Sequence, residues 1–327
     1  MIGVSVVKNE ADIIEANVRH NLRFLDRIVV FDHDSCDATP RILDALATEG
    51  LPVTRLMPRA DRREHAFWQG EFTTALARLA FDQHGADYVF PIDADEFIDA
   101  PSRDAIEGAL DACPNDVANV EWRTYAPGLD DAPGMHPLES VRWRIETASP
   151  ALPKIVVSRR VTSRDWLIGR GNHVFCNRAG NAVEIHEAAP VGGFGLAHLP
   201  FRSPQQLTAK VLVGWLSRKL AYGAKAQATH NSWHIRELFG RIVGGEKIGM
   251  AADMRRYAIA LYALNRVPQP DDEAEFTLVE APVAAPMPLR YTDAAGVDPA
   301  RLLALWSSDL IDGLKPGNAG APMQAAR

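Results

Sequence analysis

The chain has 327 residues, 47% hydrophobic and 24% charged, enough apolar sequence for one large α/β domain or two ordinary ones, which excludes disorder as the default. Both signs of charge are interspersed and the formal net charge is -7, so no nucleic acid partner is expected. Cys36, Cys113 and Cys176 lie far apart without zinc-finger spacing, which points to a reduced, cytoplasmic compartment.

The opening "MIGVSVVKNEADII" has a short apolar run with no basic region before it, and reads as a first strand rather than a signal peptide. "IGVSVV" (2–7) is followed by a helical pattern with Ile13, Ile14, Val18, Leu22 and Leu25 on one face. "RIVVFD" (27–32) predicts a second strand, and "RILDALATEG" a helix with Pro40 near its start and Gly50 past its end. "PVTRLM" (52–57) is a third strand, a long amphipathic helix covers about 65–84, and "ADYVFPID" (86–93) is a fourth strand. Alternating strands and helices predict a mostly parallel central sheet with flanking helices.

Beyond residue 100 the pattern predicts a helix near 103–112, a strand near 117–124 and a Pro/Gly/Asp loop at 126–137. "PKIVVSRRV" and "GNHVF" read as short antiparallel strands. Helical sequence follows at about 204–225, 231–243 and 251–262. The expected division is a ligand-binding domain over 1–203, a helical C-terminal extension over 204–314 and a disordered tail over 315–327. No window approaches the ~18 apolar residues of a membrane span, so any membrane association would be peripheral.

Open parallel sheets bind ligands at the carboxyl ends of their strands. Those ends are polar here: Lys8, Asn9 and Glu10 follow the first strand, Asp32, Asp34, Ser35 and Asp37 the second, and Asp93, Asp95 and Glu96 the fourth. Crowded carboxylates call for a cation or a hydrogen-bonding ligand. If the segment is extended, Asp93 and Asp95 point the same way and can address one divalent ion, magnesium or manganese, beside a phosphate-bearing substrate. On the same reasoning Glu96 faces elsewhere and Asp99 belongs to the following loop.

The series "VSVVKNE", "VVFDHDSCDAT", "VFPIDADEF" and "HLPFRS" resembles glycosyltransferases of the A-type nucleotide-sugar fold, close to the family 2-like bacterial enzymes with a DxDEF motif, over roughly residues 2–220. The resemblance implies a Rossmann-like fold and a metal-dependent transfer of sugar from a nucleotide diphosphate donor, a UDP-sugar favoured, to a glycan or lipid-linked acceptor. It further implies surface polysaccharide synthesis at the inner face of the membrane, with inversion at the sugar. Glu10 with Asn9 matches the acid lining the nucleotide pocket, and Asp32 the acid that hydrogen-bonds the base. Asp93 and Asp95 match the pair that holds ribose and metal, and His198 a late histidine brought to the metal.

Transfer leaves a charged diphosphate, so nearby cations are needed; Lys8, Lys154, Arg202 and Lys210 are candidates, with His173 beside them near a Gly-rich turn. A base must take the acceptor proton, and Glu121, Asp130 and Asp131 are the candidates, Glu121 preferred because it follows a strand of the same sheet. Asp34, Ser35 and Asp37 read as ordinary loop and cap residues. Trp122 and the other tryptophans could stack on a sugar, though core packing is the commoner use. A nucleotidyltransferase is the rival enzyme, disfavoured because "VVKNEADI" lacks the Gly-rich triphosphate loop. A non-catalytic nucleotide-sugar or glycan binder is the second rival, and a homodimer through the helical region is left open.

Overall fold

The computed structural model describes residues 1–58, 69–129, 136–147, 152–161, 165–169, 171–179, 182–222, 233–246, 248, 250–269, 275–283, 287–293 and 298–304. Its first half is β1 (Ile2–Val7), α1 (Ile14–Asn21), β2 (Arg27–Asp32), α2 (Thr39–Thr48), β3 (Val53–Leu56), α3 (Gln69–His84) and β4 (Tyr88–Pro91), the alternation that the apolar runs predict. The four strands lie in the order β3-β2-β1-β4, all parallel. Every residue of β1 is buried, as a central parallel strand covered on both faces requires.

Ile13 just before α1, Ile14 and Val18 of α1 and Ile42, Leu43 and Leu46 of α2 fill one face together with Val30 and Phe90. Leu76, Ala77 and Ala80 of α3 cover the other against Val4, Val29 and Val89. The start of α3 also meets β9 (Trp166–Gly169) closely: a Cβ at Gly70 would stand 2.5 Å from the Ile168 carbonyl oxygen, so only glycine permits the approach. The start expected for this helix, 65–68, lies outside the described residues.

The second half adds β5 (Glu96–Asp99), α4 (Arg103–Asp111), β6 (Val117–Ala126), α5 (Pro137–Ser140), β7 (Trp143–Thr147), β8 (Lys154–Ser158), β10 (Val174–Ala179), β11 (Ala182–Ile185) and β12 (Ala189–His198). β8 lies between β4 and β6, antiparallel to both. β12 runs parallel to β6 and antiparallel to β5, which sets His198 opposite Glu96 on one side and Thr124 on the other. β9, β10 and β11 form a separate three-stranded antiparallel sheet.

The C-terminal part is mainly helical: α6 (Pro204–Tyr222), α7 (Trp233–Val243), α8 (Ala251–Tyr257) and a π-helical turn at Ala258–Ala263. It also contains a strand that the sequence reading did not anticipate, β13 (Phe276–Glu280), paired antiparallel with β7. "FTLVE" is five residues without a fully buried position, too short and too polar for a period-two signal to stand out. No helix among the described residues is long and apolar enough to cross a membrane. Residues 315–327 and the loop acids Asp130 and Asp131 lie outside the described residues.

Candidate active site at the strand ends

The loops after β1 and β2 are tied together through their backbones. Asn9, at a positive φ of 58°, donates its amide to Ser35 Oγ (2.9 Å) and accepts from the Cys36 amide at Oδ1 (2.8 Å). The Glu10 amide donates to Thr39 Oγ1 (2.8 Å) and the Ala11 amide to Asp37 Oδ2 (3.0 Å). Lys8 Nζ donates to the His33 carbonyl at 3.0 Å. These polar residues build the rim, and Asn9 and Lys8 are part of that framework.

Asp32 ends β2 buried, accepting from the Ser35 amide at 3.0 Å with Arg55 of β3 at 3.7 Å. Burial pushes its carboxyl above the usual range, against the Ser35 hydrogen bonds. The rings of Phe31 and Phe72 stack beside it, centroids 4.6 Å apart.

The segment after β4 is a turn, with the Glu96 amide donating to the Asp93 carbonyl at 3.0 Å. The extended geometry expected for Asp93-Ala94-Asp95 is therefore corrected: the turn sends the two carboxylates to different partners. Asp93 accepts from Gln69 Nε2 (2.7 Å), Asn172 Nδ2 (3.1 Å) and Lys154 Nζ (2.9 Å). Asp95 accepts from Lys210 Nζ at 2.8 Å, with Arg202 Nη1 and His198 Nε2 each 3.7 Å away. Burial raises the Asp95 carboxyl, but Lys210, His198 and Arg202 outweigh it and hold the group well below the usual range.

Glu96 does not face away from the site. It is fully buried at the centre, accepting from Trp122 Nε1 (2.8 Å) and the Asp93 amide (3.0 Å) and paired with Lys154 Nζ at 2.7 Å. Burial pushes its carboxyl up to about 7, against the Lys154 ammonium.

Lys154 and Arg202, expected at the diphosphate, are committed to these acids. The three ammonium protons of Lys154 are matched by Asp93, Glu96 and the Gly171 carbonyl (2.7 Å), and its side chain is 2% exposed. The Arg202 side chain is 0% exposed and reaches Glu10 (2.6 Å) and both oxygens of Asp12 (2.7 and 2.9 Å). Glu10, half-buried beside Arg202, is pushed up to about 8 by loss of solvation, against the Arg202 charge. Lys210 is different: its side chain is 27% exposed, so of the three it is the cation that reaches toward the open side of the site.

Trp122 organises the far wall. Its indole stacks on the His198 ring (centroids 4.3 Å, 26° between planes) and meets His173 edge-on at 4.9 Å. Tyr262 of the π-helical turn touches His198 (4.9 Å) and Trp122 (6.1 Å). Burial holds His198 down near 4 and His173 near 3, so both rings are neutral at pH 7. His173 Nδ1–H donates to the Pro153 carbonyl at 2.8 Å. His198 Nδ1 is buried with no hydrogen-bond partner among the described residues.

Five carboxylates, Glu10, Asp12, Asp93, Asp95 and Glu96, thus meet three cations, Lys154, Arg202 and Lys210. Among the described residues no group of three or more His, Cys, Asp or Glu is placed to hold a metal. Asp95 and neutral His198 form a pair instead, and two ligands each ~2.1 Å from one ion stand at most ~4.2 Å apart, a limit their 3.7 Å separation satisfies. One carboxylate and one imidazole would leave the other positions of a divalent ion to substrate phosphates and water. Asp93, saturated by Lys154, Gln69 and Asn172, is not part of that pair.

No family profile and no curated protein matches the chain. Among solved structures it is similar to S. aureus TarS residues 1–349, at 12% identity over 74% of this chain and 73% of that one, with a TM-score of 0.37. It is also similar to the mannosyltransferase PcManGT from Pyrobaculum calidifontis in complex with GDP-Man and Mn2+, at 16% identity over 79% and 84% of the two chains (TM-score 0.35). A third is a mycobacterial protein at 12% identity over 69% and 74% (TM-score 0.33). At these scores the likenesses add nothing to the fold read from strand order and register.

Proposed function

We propose that the chain is a glycosyltransferase that takes a sugar from a nucleotide diphosphate donor, a UDP-sugar favoured, and passes it to a glycan or lipid-linked acceptor with inversion, as in surface polysaccharide synthesis. The observation that carries this reading is the Asp95–His198 pair with Lys210 beside it, at the carboxyl edge of a parallel sheet. Glu10 in the loop after β1 would line the nucleotide pocket, and Asp32 at the end of β2 would hydrogen-bond the base. Asp95 and His198 would hold a Mn2+ or Mg2+ ion, which when bound neutralises charge on the departing diphosphate.

The protein's own residues supply the remainder. Lys210 offers its ammonium to the phosphate oxygens as the acceptor's hydroxyl oxygen bonds the sugar carbon and the bond from that carbon to the diphosphate oxygen breaks, the departing oxygen keeping the electron pair. Glu96, fixed by Lys154 and Trp122, holds the turn that aims Asp95. Glu121, 57% exposed at the side chain, is the described carboxylate proposed to accept the acceptor's hydroxyl proton.

Calorimetry with UDP and GDP, with and without manganese, tests the reading. Wild type is expected to bind one of them at least tenfold more tightly with metal, and Asp95→Asn to lose that difference. Absence of any metal-dependent affinity for either nucleotide would overturn it.

A further inference from the structure

β6 is paired with β8 over 117–120 and with β7 over 125–126. Between these pairings, at 121–124, no strand among the described residues covers that edge, and the sheet splits. The split opens into a cleft of about 660 Å³, within the ~300–1000 Å³ range of small-ligand pockets. Trp122, Arg123, Thr124, Arg144, Glu146 and Pro153 line it.

Three observations define what the cleft takes. First, it shares a wall with the proposed donor site: Trp122 borders the cleft while its indole N–H holds Glu96 and its ring lies on His198. Second, its lining arginines are already engaged by carboxylates, Arg123 by Asp99 and Glu121 and Arg144 by Glu146, three acids to two cations. Such clusters present fixed hydrogen-bond donors and acceptors but no excess of positive charge to draw a phosphate or carboxylate. Third, Thr124 lines the cleft at 2% exposure and its Oγ1 has no hydrogen-bond partner among the described residues, an unmet polar group that a ligand hydroxyl can satisfy. Ile145, Val191 and Ala263 add apolar wall for C–H faces.

We propose that this cleft is the acceptor subsite and that its ligand is an uncharged saccharide. The assignment rests on the donor reading above for the word acceptor. A neutral sugar offers the hydroxyls that the paired Arg and carboxylate groups can bind and the C–H faces that the apolar wall can cover. Glu121, on the rim of the same cleft, is the carboxylate that such a sugar meets.

Ligand-observed NMR on the full chain tests this, with neutral gluco-, galacto- and manno-configured disaccharides as probes. A uronic-acid disaccharide and a short prenyl phosphate serve as charged and lipid controls. Thr124→Val removes the orphan hydroxyl and Thr147→Trp, at another lining position, fills the cleft; thermal melts establish that each variant folds. At least one neutral disaccharide should bind wild type, with affinity falling about fivefold in Thr124→Val and more than tenfold in Thr147→Trp. Nucleotide affinity should stay within twofold in both.

Nucleotide binding without any neutral disaccharide would overturn the subsite and leave the donor reading standing. Disaccharide binding unchanged in both variants, or a prenyl phosphate alone sensitive to them, would also overturn it. Variant-sensitive disaccharide binding without nucleotide binding would uphold the saccharide cleft and sink the transferase reading instead. If Thr147→Trp does not fold, Thr124→Val decides.

Discussion

The partner of each acid at the rim comes from far along the chain. Lys154 is 61 residues from Asp93, and Arg202 is 192 residues from Glu10. That Glu10, Asp32, Asp93 and Asp95 share an edge was legible, because strand ends of a parallel sheet are adjacent by construction. Which cation meets which acid was not, and Glu96 was misplaced because its direction depends on a turn rather than on strand alternation. Asp12 and Tyr262 were not singled out as site residues, and Trp122 only as one of several tryptophans that could stack on a sugar, since nothing local distinguishes them from cap and core positions; Arg202, the π-helical turn and β12 register bring them in. Lys154 is the sharpest test at this scale. Lys154→Met leaves Asp93 and Glu96 without their ammonium, and breaking a buried pair from one side costs about 3–5 kcal/mol. Urea unfolding should show a loss of that size, partly restored in Lys154→Met/Glu96→Gln; a loss under ~1 kcal/mol would show that the pair is not holding the turn.

Elements with strong periodicity were read well, and the parallel half and α4, capped by Ser102, fall close to expectation. The weak ones depend on neighbours. β13 exists because β7 offers an edge, and the segment after it docks on α1 through Glu15. Glu15 Oε1 accepts from the Arg290 amide (2.8 Å), and Oε2 from the amides of Tyr291 (2.7 Å) and Thr292 (2.8 Å). Burial raises this carboxyl, but the Arg290 and Tyr291 amides outweigh it and the folded group titrates below its ordinary 4.5. Glu15→Ala should therefore cost about 3 kcal/mol at pH 7, since three amides lose a charged acceptor. A depressed carboxyl contributes fully above its unfolded pKa and loses that contribution as pH falls through its folded pKa. The gap between wild type and variant, read by urea unfolding, should thus be constant from pH 6 to 8 and shrink below about 4.5. A gap that widens on acidification would contradict this sign.

At the scale of the whole molecule, the C-terminal part is stitched into the sheet it follows. Ala281 donates to the Arg142 carbonyl (2.9 Å), Asp293 to that of Ala11 (3.0 Å), and Met287, Leu289 and Tyr291 pack on the core beside α1 and α2. Ending the chain at residue 274 removes all of these contacts together with β13. The melting midpoint should fall by more than about 10 °C, given 2–4 °C per kcal/mol for a protein of this class. A truncated chain that melts with the full one would show the sheet to be self-sufficient. The Glu15 clasp also has a consequence for biogenesis. Its bond to the Thr292 hydroxyl closes a loop of 277 residues, so it can form only after synthesis has passed residue 292. At about 5–20 residues per second, α1 waits on the order of tens of seconds with that face bare. Over that interval the newborn protein offers an apolar surface to whatever chaperone is at the ribosome exit.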